Sequence, residues 1–422
     1  MTPNIKNVFN IFGCTMHGQS LHGFDTCRMF VMSATPCAII AFTVVFVGGC
    51  ATNTFEQPAS LGADLQSRAG VAPSWTQADA KVIDAQTLHA AAAVALPNPL
   101  NELDAVAIAL DASPGIAKMI SQTNALRAEA IDISTPANPV LNFTSGVPLD
   151  SMSVVPIFAM LMFQIDELWT QPLRSETARQ TYQSALLSLG ASAIALAVET
   201  RVAWHEVAMR SEERELAQND LRITEHLLTI ARERFAVGES TGDAVAKSQA
   251  EMKDAHHRLS QARQMLSAAQ LSLMALLGRA EASSDWSTGA PDSSSVFAIH
   301  APIADEQKLL VAMVDSRLDV RAAQAQANAA KSKVELARRS RSNKLDLGAG
   351  FDRDMEGDQA VAFSANVELP IFNNGSARID KAEAELQTAN IEVERVRQAA
   401  IIELRGAMVK ALAMQEKRDI SA

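Results

Sequence analysis

The stretch Val361-Ala362-Phe363-Ser364-Ala365-Asn366-Val367-Glu368-Leu369-Pro370-Ile371-Phe372-Asn373-Asn374-Gly375 decides how the rest of the chain is read. From Ala360 to Leu369 the odd positions Val361, Phe363, Ala365, Val367 and Leu369 are apolar, while Ser364, Asn366 and Glu368 fall on the other face. A period of two over about ten residues has the pattern and length of a tilted transmembrane strand. A soluble antiparallel hairpin shares that pattern. Leu345, Leu347, Ala349 and Phe351 form a similar row just upstream, and Asp352 to Gln359 make a polar connection between the two. In the first half of the chain Pro139 to Val147 and Val154 to Ile165 occupy the corresponding place, the second of them nearly continuous in apolar residues.

Between these hairpins the prolines disappear. Ten of the 15 lie between residues 51 and 172, and none occurs from Leu173 to Ala290, a run of 118 residues that permits very long helices. Met252, Ala255, Leu259, Ala262, Leu266, Ala269, Leu273 and Leu276 alternate by three and four, a heptad seam with small residues that let helices approach closely. Leu221, Thr224, Leu228, Ala231 and Phe235 carry the same spacing upstream of Gly238. A helix from about Thr170 to Ala236 would be roughly 100 Å long at 1.5 Å per residue, longer than any compact domain of this mass. An ordinary soluble coiled coil explains such helices, but not the strands that flank them.

One offset relates the two halves. Val198-Glu199-Thr200-Arg201-Val202-Ala203 matches Ile402-Glu403-Leu404-Arg405-Gly406-Ala407 at 204 residues. Arg174 and Ala178 match Arg378 and Ala382, Gln122 and Asn124 match Gln326 and Asn328, and Leu141 matches Leu345, all at the same 204. The chain is therefore expected to be a tandem duplication in which a helix leads to a strand hairpin and then to a very long helix. The expected divisions are a leader at 1–49, a tail or linker at 50–102, a first repeat at 103–305 and a second at 306–422.

Composition narrows the class. The 422 residues are 48% hydrophobic and 5% aromatic with a net charge of −11, which excludes collagen-like, disulfide-dense and polytopic helical membrane chains. The acidic balance leaves no electrostatic footprint for nucleic acid. Cys14, Cys27, Cys37 and Cys50 are the only cysteines, so the body of the chain has neither a disulfide framework nor a cysteine-ligated metal site. Met29 to Gly49 is free of charge and follows Arg28, the form of an export signal. It ends in Val47-Gly48-Gly49-Cys50, which resembles a bacterial lipobox with Cys50 as the lipid attachment site; a signal anchor retained in the inner membrane is the alternative. The 28 residues before Met29 are long for a signal, so Met16 and Met29 are also candidate starts.

Leu369-Pro370-Ile371-Phe372-Asn373-Asn374-Gly375, Leu318-Asp319-Val320-Arg321-Ala322-Ala323 and Asn138-Pro139, in this order, resemble the TolC family of outer-membrane efflux proteins in its lipoprotein branch, from about Leu103 onward. The resemblance implies a mainly α-helical fold with a β-barrel part. Long coiled-coil helices would form a periplasmic tunnel, and four strands per chain would close into a 12-stranded barrel in a homotrimer. It also implies a periplasmic adaptor and an inner-membrane pump as partners, with an outer-membrane, lipid-anchored location. Leu369, Pro370, Phe372 and Gly375 are then the strand-to-helix junction. Gly238, Thr241 and Asp243 fall at the helical tip that docks with the adaptor, although the sixth position after Gly238, often Asp in the family, is Ala244 here. The glycines Gly238 and Gly242 also serve simply to reverse the chain.

Enzyme-like signals are weak. Gly238-Glu239-Ser240-Thr241-Gly242 satisfies the pattern of a hydrolase nucleophile elbow but follows a helix where a strand is required. His256 and His257 are adjacent on a helix and point about 100° apart, and His205-Glu206 lacks the second histidine of a zinc-protease motif. Solvated helix faces are expected for all of them, with no catalytic residue, cofactor or metal. Adding the offset to Gly238 and Gly278 places a second tip near 442 and a second return helix ending near 482, so a truncated family member with part of its seam uncovered is expected. The function expected is a passive outer-membrane conduit for small molecules or ions driven by the pump. The alternative is a lipid-anchored periplasmic coiled-coil scaffold without a pore.

Overall fold

The computed structural model describes residues 55, 58–76, 95–146, 155–279, 286–289, 313–341, 344–354 and 356–421. In chain order its main elements are α1 (Gly62–Ala69), α2 (Glu102–Ala112), α3 (Pro114–Ser134), β1 (Val140–Ser145), β2 (Ile157–Gln164), α4 (Glu167–Ala236), α5 (Gly242–Leu276), α6 (Leu318–Arg339), β3 (Leu345–Arg353), β4 (Gln359–Val367) and α7 (Ser376–Ser421). The sequence helix, hairpin, long helix thus occurs twice, as α3-β1-β2-α4 and α6-β3-β4-α7. Starts of paired elements lie 202 to 209 residues apart, around the 204 of the sequence match. The leader and Cys50 lie outside the described residues.

α4 runs for 70 residues, about 105 Å. It begins three residues earlier than expected and takes in Pro172, its sixth residue, whose missing N–H removes one helical bond to the Leu168 carbonyl. The heptad seam is the contact between α4 and α5. Ala255, Leu259, Leu266 and Leu273 are buried and Met252, Ala262, Ala269 and Leu276 are half-buried. Across from them Thr224 and Leu228 are buried, but Phe235, the last seam residue of α4, is 52% exposed because the hairpin ends there. Arg258 on α5 donates to Asp220 on α4 at 2.7 and 3.2 Å, an exposed ion pair across the hairpin.

Two cores hold the base of this hairpin. Leu61, Leu65, Trp75, Val106, Leu110, Ile116 and Ile120 pack on Leu186 and Leu189 of α4. Leu100, Ala105 and Ala109 join Trp204, Val207, Leu266, Leu273, Leu277 and Trp286 in the second. Two of the buried indoles bond across elements: Trp204 Nε1 donates to the Leu100 carbonyl at 2.9 Å and Trp75 Nε1 to that of Leu110 at 3.2 Å. In the second copy α7 packs on α6, with Val393 and Ala400 buried, while Ile391, Ile402, Val409, Leu412 and Met414 are exposed. Leu412 stands one repeat length from Ala208, which is buried.

The four strands form one antiparallel sheet in the order β1-β2-β3-β4. The central pair, β2 with β3, sets Met160 opposite Gly350 and Met162 opposite Gly348, and so joins the two halves of the chain. β1 and β4 are the outer strands.

Asp319 explains part of the motif that opens α6. Its carboxylate accepts from Arg317 at 2.9 and 3.1 Å and from the Val320 N–H at 2.9 Å, while Arg317 also reaches Glu403 of α7 at 2.9 Å. Burial opposes the charge on Asp319, but the Arg317 bonds, the Arg317 charge and the backbone N–H together hold its carboxyl below the ordinary value. A carboxylate depressed in the fold contributes stability that is complete above its unfolded pKa and is lost as pH falls through the folded one. Unfolding followed against pH should therefore show the wild type losing stability faster than Asp319→Asn as the pH drops below about 4.

Candidate functional site

The sheet presents two chemically distinct faces. Directly paired residues of neighbouring strands share a face, and alternate residues along each strand share it too. One face carries Leu141 and Phe143 of β1, Leu161 and Phe163 of β2, Leu347 and Phe351 of β3, and Val361, Phe363 and Val367 of β4, with Ser145, Arg353 and Gln359 at one end of it. Leu141 is 66% exposed, Phe143 64% and Phe363 82%. In water such a surface would be unfavourable at about 25 cal/mol per Å², and patches of this kind mark partners or membranes. The other face carries Asn142, Thr144, Gln164, Asp346, Asp352, Ser364 and Asn366. β2 looked nearly continuous in apolar residues because Met160 and Met162 stand on this second face, both buried.

At the end of β4 the ladder stops with the Glu368 N–H on the Lys344 carbonyl, and Pro370, which has no N–H to offer, follows at once. Leu369, Ile371 and Phe372 then project outward, Phe372 fully exposed. Leu168, at the matching place after β2, is 74% exposed as well. The chain enters α7 through two side-chain caps: Asn373 Oδ1 accepts the Gly375 N–H and Asn374 Oδ1 the Ser376 N–H, both at 3.0 Å. Gly375 adopts φ 75°, where a side chain would be strained. Leu369, Pro370, Phe372 and Gly375 all lie in the connection between β4 and α7.

The opposite end of the helical part is the α4–α5 tip. Gly238 at φ 79° closes α4 in a Schellman motif, its N–H on Phe235 and that of Glu239 on Arg234. Gly242 does not use glycine's freedom; it is the first residue of α5. Thr241 is the extended N-cap residue of α5 and makes no side-chain capping bond, and Asp243 sits in the first turn, where its charge suits the helix dipole. Gly238, Thr241 and Asp243 are all exposed. With α4 in front of it, Ser240 is not on a strand-to-helix elbow.

His256 and His257 are exposed on α5, as expected for a solvated face. His205 differs: it lies 3.3 Å from Glu102, which also pairs with Arg201 at 3.1 Å, and its ring meets Trp204 edge-on. The sequence missed this contact because Glu102 is a hundred residues away. Among the described residues no three His, Cys, Asp or Glu side chains gather at one point.

Residues 309–422 match the family described as outer membrane efflux protein. No curated protein matches the chain by sequence. Among solved structures, the fold is similar to a membrane protein from Pseudomonas aeruginosa (20% identity, TM-score 0.63, covering 75% of this chain and 78% of that one). It is also similar to the open state of the Neisseria gonorrhoeae MtrE outer membrane channel (20% identity, TM-score 0.61, covering 75% and 74%). CusC, described in terms of folding and transmembrane channel formation, aligns at 18% identity and TM-score 0.61, covering 76% and 79%. Residues 309–422 are therefore similar to the outer membrane efflux protein family, and the long helices and four-stranded sheet share the fold of these solved channels.

Proposed function

We propose that this protein is the outer-membrane channel of a tripartite export system, a passive conduit through which an inner-membrane pump expels small molecules or ions. The observation that carries this reading is the sheet: one face apolar and exposed, the other polar, with its outer strands β1 and β4 available for pairing. Backbone groups in hydrocarbon must be paired within the protein, so an open sheet of four strands needs further copies to close it. Three copies make a 12-stranded barrel with the Phe363 face toward lipid and the Ser364 face toward the lumen. The helices α3 to α7 then extend the conduit into the periplasm, the tip at Gly238, Thr241 and Asp243 meets an adaptor protein, and a lipid on Cys50 anchors the chain to the outer membrane. The chain is read as two repeats, 103–305 and 306–422, and energy comes from the pump. A lipid-anchored scaffold without a pore would have no use for so much exposed apolar sheet.

Heat-modifiable trimers in the outer-membrane fraction are expected, whereas soluble helical dimers after removal of the lipid would overturn the channel reading. Phe363→Arg puts a charge on the lipid face at a cost of about 2–4 kcal/mol near the bilayer midplane, and trimers should disappear from that fraction. Asn366→Arg, on the lumenal face, should leave the trimers in place and shift ion selectivity in planar bilayers toward anions.

The tip is tested separately. A side chain at Gly238 meets nothing within 4 Å, so Gly238→Val carries only the backbone strain of φ 79°, about 1–2 kcal/mol. The variant should still form membrane trimers but lose crosslinking to the adaptor. Undiminished crosslinking would remove the tip from the docking surface.

A further inference from the structure

The lumenal face of the sheet contains two thioethers where a polar surface is otherwise built. Ser364 Oγ on β4 is 2.9 Å from Met160 Sδ and 3.3 Å from Met162 Sδ, both on β2, reaching them across β3. It can do so because β3 has glycine opposite each methionine, Gly350 at Met160 and Gly348 at Met162. A Cβ on Gly348 would stand 2.5 Å from Ser364 Oγ, 2.7 Å from Met162 Sδ and 3.0 Å from Met160 Sδ. Three donor atoms therefore converge above one glycine, and the two sulfurs are close neighbours.

Methionine often fills gaps in cores, being flexible and adaptable. Filling volume explains neither the hydroxyl shared between two sulfurs nor the setting. Along this face the ionisable side chains among the described strand residues are Asp346 and Asp352, at opposite ends of β3 on either side of Gly348 and Gly350. Both are acids, so the field draws cations. A thioether is a weak hydrogen-bond acceptor, and Ser364 has one proton for two sulfurs. The stronger partner for a thioether pair is a soft monovalent metal ion, because sulfur ligands of this type select Cu(I) over the harder divalent cations.

We propose that Met160, Met162 and Ser364 form a binding site for a soft monovalent cation of the Cu(I) and Ag(I) class on the inner wall of the sheet. The two thioethers are its ligands, and the Ser364 oxygen stands between them. The site rests on the lumenal assignment of this face made above.

The test uses the full-length protein in detergent, labelled with ¹³C-methyl methionine and titrated with Ag(I) in chloride-free buffer beyond the equivalents taken up by cysteine thiols. The methyl signals of Met160 and Met162, assigned with the Met160→Leu and Met162→Leu variants, should shift together and saturate at a common point. In Met162→Leu, which keeps the volume, the Ag(I) concentration needed to shift Met160 should rise by about ten-fold or more. The proposal is overturned if neither signal moves while those of exposed Met209 and Met265 do, or if Met160 responds identically in Met162→Leu. Conductance of the same preparation in planar bilayers before silver is added reports on the channel reading by itself, so the two can fail separately.

Discussion

A β-sheet with an apolar outer face is stable in hydrocarbon only when every backbone N–H and C=O is paired, because no water is present to satisfy the remainder. Here that constraint falls on β1 and β4, the outer strands of the four-stranded sheet. Neither repeat could meet it alone, since each supplies only a hairpin. Pairing β2 to β3 joins the two hairpins into one sheet, and closing that sheet requires β1 of one copy to meet β4 of the next. The assembly proposed for this chain follows from that requirement.

The helical part obeys a different rule. Where β4 ends, the chain must pass from a strand with one apolar face to an amphipathic helix within a few residues. The junction does this with a proline where the ladder ends, two asparagine caps and one glycine at φ 75°. In the first repeat the heptad seam of α4 and α5 is made of alternating large and small residues, so a hairpin about 50 Å long is held by side chains that repeat. Gly238 ends one arm with the same Schellman geometry that Gly278 uses to end the other.

Much of this is legible in the sequence. The seam from Met252 to Leu276 faces α4 as its spacing required, and the alternation from Val361 to Val367 puts Phe363 and Ser364 on opposite faces. Other features were not legible for definite reasons. β2 has apolar residues on both faces, so its period was hidden by Met160 and Met162. The Arg317–Glu403 pair and the His205–Glu102 contact join residues that are distant along the chain, and local patterns carry no sign of such pairs. Phe235 keeps the heptad spacing but is half exposed, because periodicity does not record where a hairpin stops.

By itself the sequence determined the periods: two for the strands, three and a half for the helices, and 204 for the duplication. These set element type, order and the apolar side of each element, because side-chain direction follows backbone period. Only the tertiary structure decided register, since a one-residue slip of β3 against β2 would leave every strand's pattern intact along the chain. That register sets Gly348 and Gly350 opposite Met162 and Met160, and so lets a serine reach two sulfurs across a strand with no side chain in the way.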